Sequence, residues 1–245
     1  WKPTRTKKGR GRKLLKRSCL KLENHLSRLQ IVYVKEFDKL NEIREQSLKL
    51  SREIIKSCSK SIRNVHRNDL AEAKTHLDEA NNNYKKLQTS LKDIPELRFA
   101  GYVNDSEREL IEAFLVYEFE KNNILLEFST MNVSASNYIQ GLGDAIGEWR
   151  RKVLDKLRKL EIEEGEKYLD VMESSMEIFN ELDYPDALTG GLRRYADTAR
   201  AIIERTRSDL TNAIVSESLR KELKITNELQ IHYRRQFRNY KFGVV

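Results

Sequence analysis

Residues that break helices are scarce in this chain. Ten glycines and three prolines in 245 residues make about 5%, where an ordinary protein carries roughly 12%. Sandwiches and barrels of many short strands need turn signals about every 8–12 residues, and this sequence cannot supply them. Collagen-like and Pro/Gly-rich low-complexity classes are excluded for the same reason. Charged residues reach 34% and hydrophobic ones 39%, the balance of long amphipathic helices with solvated outer faces. The fold class expected is all-α, and a chain of this length can bury a substantial core.

The formal charge of +8 is unevenly spread. Residues 1–17 hold nine Lys and Arg and no acid, so the other 228 residues carry 37 bases against 38 acids, a net −1. Residues 1–21 therefore read as a basic N-terminal arm and 22–245 as one all-α domain. The arm is either a solvated tail or a phosphate-binding segment. Cys19 and Cys58 are the only cysteines, too few for a disulfide framework and without CxxC spacing, which suits a reducing, cytoplasmic setting. No apolar run approaches the roughly 20 residues of a membrane span. The basic start has no apolar stretch behind it, unlike a signal peptide, and lacks a Met, as expected of a processed or truncated start.

Apolar periodicity with sparse punctuation predicts seven helices, at about 22–65, 69–91, 107–130, 134–160, 161–182, 192–215 and 219–240. Asn104-Asp105-Ser106, Ser134-Ala135-Ser136 and Ser216-Glu217-Ser218 have the side chains of N-caps. Short connections between them fit a single bundle.

The first helix carries a patterned basic stripe. Lys49, Arg52, Lys56, Lys60, Arg63 and Arg67 fall within an arc of about 80° at 100° per residue. Leu50, Ile54, Ile55, Cys58, Ile62 and Val65 take the opposite side. No acid lies between Glu53 and Asp69. Such a row spaces cations about 5–6 Å apart, close to the phosphate spacing of an extended nucleic-acid strand. The alternative is a solvated face paired with an acidic neighbour.

Two helices place acids in apolar surroundings. Leu110, Ile111, Ala113, Phe114, Leu115, Val116, Tyr117 and Phe119 surround Glu109 and Glu112, which lie i,i+3 on one face. Asp144 and Glu148 lie i,i+4 on the next helix, among Gly141, Gly143 and Gly147. Burying an ionised carboxylate is unfavourable by several kcal/mol unless a cation or strong donors compensate. Glycine inside a helix costs about 1 kcal/mol, so three in seven residues call for a reason, and close approach of the two helices is one. Four carboxylates brought together would form a hard, oxygen-rich site of the kind Mg²⁺ or Mn²⁺ prefers. Water could then be activated for in-line attack on a phosphodiester. The competing reading is a set of salt-bridged structural acids.

Other chemistries find little support. His25, His66, His76 and His232 do not pair at metal-ligand spacing, and no ExxH occurs. No P-loop, dinucleotide fingerprint or GxSxG is present. Tyr233, Phe237, Tyr240 and Phe242 alternate with Arg234, Arg235, Arg238 and Lys241, which suits C-terminal packing or an oligomer interface better than a base-stacking surface.

These motifs together resemble a family. Glu109-Leu-Ile-Glu112-Ala113 resembles the E-Y-V-E-A segment of translin-associated factor X (Trax). Tyr138, Gly141, Asp144, Gly147 and Glu148 are similar in spacing to that family's Y-x-x-G-x-A-D-L-T-G-E segment. Leu50-Ser51-Arg52-Glu53-Ile54, followed by Ser59-Lys60, Ile62 and His66-Arg67, resembles its first-helix motif. Leu192-Arg193-Arg194-Tyr195-Ala196-Asp197 is similar to the R-Y-D helix of translin and Trax. The resemblance runs from about residue 37 to 213, in order and in register. Gly143 in place of Ala, and Ala145-Ile146 in place of Leu-Thr, depart from it.

The resemblance implies a seven-helix translin-like subunit of a barrel-shaped octamer. Its partners would be identical chains or a translin-like subunit; the high Lys and Glu content suits an archaeal or thermophilic homo-octamer. It also implies a Mg²⁺-dependent endoribonuclease of single-stranded RNA, with Mn²⁺ as a substitute metal. The family's catalytic, metal-binding carboxylates match Glu109, Glu112, Asp144 and Glu148. Arg193 and Arg194 join the basic stripe as candidate nucleic-acid contacts, with single-stranded DNA as a further ligand. Two other functions stay open: a non-catalytic translin-like scaffold for single-stranded RNA or DNA, and an all-α nucleoside-triphosphate pyrophosphatase. The pyrophosphatase favours ExxE followed by ExxD, from which the DxxxE here departs.

Overall fold

The computed structural model describes the backbone of residues 8–241, and the side chains of residues 24–234 apart from residue 128. Six long helices carry the architecture: α1 (Lys8–His66), α2 (Leu70–Ser90), α4 (Gly101–Asn122), α6 (Ala135–Leu157), α7 (Ile162–Glu181) and α9 (Leu192–Lys241). Single turns α3 (Pro95–Arg98), α5 (Phe128–Met131) and α8 (Asp186–Thr189) sit in the connections. Among the described residues there is no strand, and no helix long and apolar enough to cross a membrane.

Local chemistry sets most boundaries. Asn68 takes a positive φ after α1, and the Asp69 carboxylate accepts from the Glu72 N–H to open α2. The Ser134 hydroxyl caps α6 by accepting from Asn137 N–H. Asn123 ends α4 in the left-handed conformation at φ 54°, a common C-terminal solution for Asn.

Three expectations are corrected. The third helix begins at Gly101, ahead of Asn104-Asp105-Ser106. The Ser106 hydroxyl, buried, bonds back to the Val103 carbonyl instead of capping. The sixth and seventh expected helices are one, α9, which passes through Ser216-Glu217-Ser218 unbroken because no Gly or Pro interrupts residues 192–241. The first helix starts at Lys8 and not near residue 22. Residues 1–7 of the arm, its described helix's side chains up to residue 23, and the C-terminal aromatic segment from residue 235 lie outside the described side chains.

α4 and α6 form the middle of the bundle. α4 packs against α1 and α2 on one side and α6 on the other, while α6 also packs against α7 and α9. The shared core includes Ile54, Cys58, Leu77, Leu110, Ile111, Leu142, Ile146, Trp149 and Met172, all fully or almost fully buried. Phe119 joins Trp149 and Tyr168 in tilted and edge-on ring contacts, with centroids 5.6 and 5.4 Å apart.

Two acids, Glu107 buried and Glu120 partly buried, lock α4 in place. Glu107 accepts from the Tyr84 hydroxyl at 2.6 Å and from Ser134 N–H at 2.5 Å, tying α4 to α2 and to the start of α6. One turn from the other end, Glu120 pairs with Lys152 Nζ at 3.1 Å and accepts from the Tyr168 hydroxyl. Lys152 in turn donates to the Val65 carbonyl at 2.8 Å, satisfying the C-terminal end of α1. Charges this deep persist because each has partners.

Candidate active site

Between those two anchors lie Glu109 and Glu112, facing α6. The close approach that the glycines implied is real at two of the three positions. A Cβ at Gly141 would stand 2.7 Å from Ile111 Cγ2 and 2.9 Å from the Arg108 carbonyl, so only glycine lets α6 sit this near α4. At Gly143 a Cβ would meet the Tyr195 ring at 2.9 Å, so the glycine where the family has Ala leaves room for Tyr195 against α6. Gly147 has no atom within 4 Å of such a Cβ, and packing does not account for it.

Across this seam the four acids feel one another. Burial, then the charges of Glu109, Asp144 and Glu148, push the Glu112 carboxyl up to about 8. Burial also raises Glu109; Arg108 opposes this, and Asp144, Asp105 and Glu148 add to it. Asp144 is raised by burial against the pull of Arg108. Glu148 alone is lowered, chiefly by its hydrogen bond with His66. The buried Cys58 thiol on α1 is pushed up as well, by burial and then by Glu109 and Glu112, which places α1 against the same cluster.

Their partners divide the four into two pairs. Arg108 Nε lies 2.9 Å from Asp144 Oδ2, an ion pair whose angle is too poor for a directed hydrogen bond. His66 Nε2 hydrogen-bonds Glu148 Oε2, with the imidazole only 4% exposed. Arg151 stands further from Glu148, at 3.9 Å. Glu109 and Glu112 have neither a hydrogen bond nor an ion pair of their side chains among the described residues, although Glu112 is 9% exposed. With Asp144 and Glu148 held by protein partners, no three acid, His or Cys groups among the described residues stand together closely enough to hold an ion.

The residues nonetheless fit a divalent metal. Glu107 and Glu120 show what a structural acid on α4 looks like, each with two or more partners. Glu112 is buried to a similar degree without any, and a hard cation is the partner such a carboxylate set would take.

The basic stripe is placed elsewhere. Lys49, Arg52, Lys56, Arg63 and Arg67 are exposed and Lys60 is partly so, and none of the six forms an ion pair among the described residues. They lie on the side of α1 away from Cys58, with Arg63 and Arg67 flanking the His66 that bonds Glu148. Arg193 and Arg194 are exposed at the start of α9, beside Tyr195. Sequence reasoning missed Arg108 and His66. Both were visible only as neighbours of motifs, and their partners are 36 and 82 residues away.

Fold and site define an all-α bundle whose two central helices carry an acidic centre. No family model matches the chain. An uncharacterised protein of Methanocaldococcus jannaschii is 37% identical over 186 residues, which span 75% of this chain and 82% of that protein. Among solved structures, the AfC3PO–duplex RNA complex superposes with a TM-score of 0.70 at 33% identity, over 74% of this chain and 94% of that one. AfC3PO by itself gives 0.69 at 32%, over 74% and 95%. Apo-NeC3PO, at 24% identity and a TM-score of 0.68, shares the fold over 73% and 94%. The chain belongs to the translin/Trax family.

Proposed function

We propose that this protein is a divalent-metal-dependent endoribonuclease that hydrolyses phosphodiesters of single-stranded RNA. The observation that carries the reading is the carboxylate pair Glu109 and Glu112, half-buried and buried, without donors of their own. They face Asp144 and Glu148 across a glycine-permitted seam. When bound, Mg²⁺ or Mn²⁺ supplies Lewis acidity at a phosphate oxygen and makes a coordinated water more acidic. Glu109, Glu112, Asp144 and Glu148 would hold it. His66 keeps the Glu148 carboxylate ionised and oriented. Glu112, which keeps its proton most strongly in the metal-free site, would give that proton up as metal enters.

RNA would be gathered by the unpaired cations of the stripe, with Arg193 and Arg194 as further phosphate contacts. A relative of the same fold is held in a complex with duplex RNA, so duplex RNA belongs in the assay beside single strands. An assembly with further copies would cover Val32, Val34 and Phe37 on α1, and Leu219, Leu223 and Leu229 on α9, which are more than half exposed.

Single-turnover cleavage of an end-labelled RNA tests the activity. Cleavage is expected with Mg²⁺ or Mn²⁺ and lost in EDTA, in Glu112→Ala and in Asp144→Asn; full activity in any of the three removes the mechanism. Salt-sensitive RNA binding without cleavage would instead indicate the scaffold function. Release of pyrophosphate from free nucleoside triphosphates would indicate the pyrophosphatase.

A further inference from the structure

Arg108 is a cation placed directly on the acidic seam, closer to its acid than Arg151 is to Glu148. Its side chain is 27% exposed and touches three elements. On its own helix Nη1 stands 3.7 Å from Asp105. Across to α6, Nε is 2.9 Å from Asp144. On α9, Nη1 donates to the Tyr195 hydroxyl at 3.3 Å, and that hydroxyl in turn reaches Gln140 Oε1 at 3.5 Å. Tyr195 holds this position because Gly143 leaves room for its ring. The guanidinium is thus fixed from three sides, one residue from Glu109 and against Asp144.

A structural counter-ion would have its fork filled. Glu107 and Glu120 show well-directed bonds of 2.5–3.1 Å from their partners. Arg108 keeps a misaligned Nε, buried and without a hydrogen bond, and a long contact to Asp105. Guanidinium has five N–H donors in a planar fork that matches phosphate oxygens bidentately. These contacts use few of them.

We infer that Arg108 is a substrate-binding residue: it neutralises the acids while metal is absent, yields Asp144 to the metal, and then grips a non-bridging oxygen of the scissile phosphate. This rests on the proposed ribonuclease reading. Two consequences oppose each other, and no purely structural role gives both. Removing the cation removes a competitor for Asp144, so metal should bind more tightly. Removing it also removes a donor from the charge that builds on the phosphate, so cleavage should slow.

The experiment compares wild type, Arg108→Gln and Arg108→Lys in two measurements. The first is Mn²⁺ affinity by calorimetry without RNA. The second is single-turnover cleavage of labelled single-stranded RNA at saturating Mn²⁺. Arg108→Gln is expected to bind Mn²⁺ about tenfold more tightly and to cleave about 10²–10³-fold more slowly. Arg108→Lys keeps the charge and loses the fork, so Mn²⁺ affinity should return to within about threefold of wild type while cleavage stays at least about tenfold down. Equal or weaker Mn²⁺ binding by Arg108→Gln, or cleavage by it at the wild-type rate, overturns the assignment. Should Arg108→Gln not fold, Arg108→Lys cleaving at the wild-type rate overturns it alone. A wild type that neither binds Mn²⁺ nor cleaves RNA overturns the ribonuclease reading instead.

Discussion

Replacing Glu112 by Gln should make the metal-free protein more stable, by an amount that depends on pH. Burial and the charges of Glu109, Asp144 and Glu148 hold the Glu112 carboxyl near 8, against an ordinary value of 4.5. Between those values the folded protein keeps a proton that the unfolded chain has released. Stability therefore falls as pH rises through this window, by about 1.4 kcal/mol per pH unit for this one group. By pH 7 the loss amounts to about 3 kcal/mol, and screening through the partly exposed Asp144 and Glu148 brings it nearer to 2 kcal/mol. An amide at this position has the shape of the carboxyl and no charge to bury, and its N–H₂ can donate to the facing acids.

Thermal melts of wild type and Glu112→Gln in EDTA, from pH 4.5 to 8.5, read the effect. For a chain of this length about 2 kcal/mol moves the midpoint by roughly 4–8 °C. The two curves should nearly coincide at pH 4.5, separate steadily with Gln the higher, and run parallel above about pH 8. Saturating Mg²⁺ should raise the wild type alone and narrow the gap. A gap that does not change with pH, or a Gln variant less stable than wild type at pH 7, would refute the reasoning, since either means that Glu112 is not an uncompensated buried acid.

Other substitutions probe the supports of the site. Gly141→Ala gains about 1 kcal/mol of helix propensity but drives a methyl to 2.7 Å from Ile111 and 2.9 Å from backbone. Overpacking of about 1–3 kcal/mol should win, lowering the urea midpoint and separating α4 from α6, with weaker Mn²⁺ binding by calorimetry. Lys152→Met leaves Glu120 buried beside Tyr168 without its cation and should destabilise by about 3–5 kcal/mol in urea melts; adding Glu120→Leu should recover most of that. Changing Lys49, Arg52 and Lys56 together to Gln should weaken binding to any single strand and reduce the slope of log affinity against log salt by about 2, read by fluorescence anisotropy from 50 to 300 mM NaCl.

How much of this was legible in the sequence depended on whether the cause was local. The acid pairs on α4 and α6 were readable because i,i+3 and i,i+4 spacing fixes a face whatever the tertiary structure. Gly141 was readable as close approach for the same reason. Capping was less so. Asp69 and Ser134 cap as their chemistry suggests, while the similar Asn104-Asp105-Ser106 and Ser216-Glu217-Ser218 lie inside helices. A polar triplet permits a boundary, and without Gly, Pro or an unsatisfied turn nothing enforces one. Glu107 and Glu120 sit in more polar stretches of the sequence than Glu112 yet proved structural, since Tyr84, Ser134, Tyr168 and Lys152 come from outside α4. The difference between an anchored acid and an available one is a matter of tertiary partners, and so is the role of Arg108.

The placement of the basic stripe bears on how RNA could meet the acids. Cys58 faces Glu109 and Glu112, and the stripe occupies the far side of the same helix. The C-terminal end of the stripe comes nearest the acids, because His66, next to Arg67 and three residues after Arg63, hydrogen-bonds Glu148. The other end, at Lys49, lies 17 residues further back on α1, about 25 Å along the helix axis. Among the described residues, the arginines ion-paired with the acids are Arg108 and Arg151, at 2.9 and 3.9 Å from Asp144 and Glu148. On the proposed ribonuclease reading, capture by Lys49, Arg52 and Lys56 and cleavage beside Arg108 would draw on different basic groups. Neutralising Lys49, Arg52 and Lys56 should weaken RNA affinity and leave the rate at saturating RNA unchanged, whereas Arg108→Gln should lower that rate even when the RNA is fully bound.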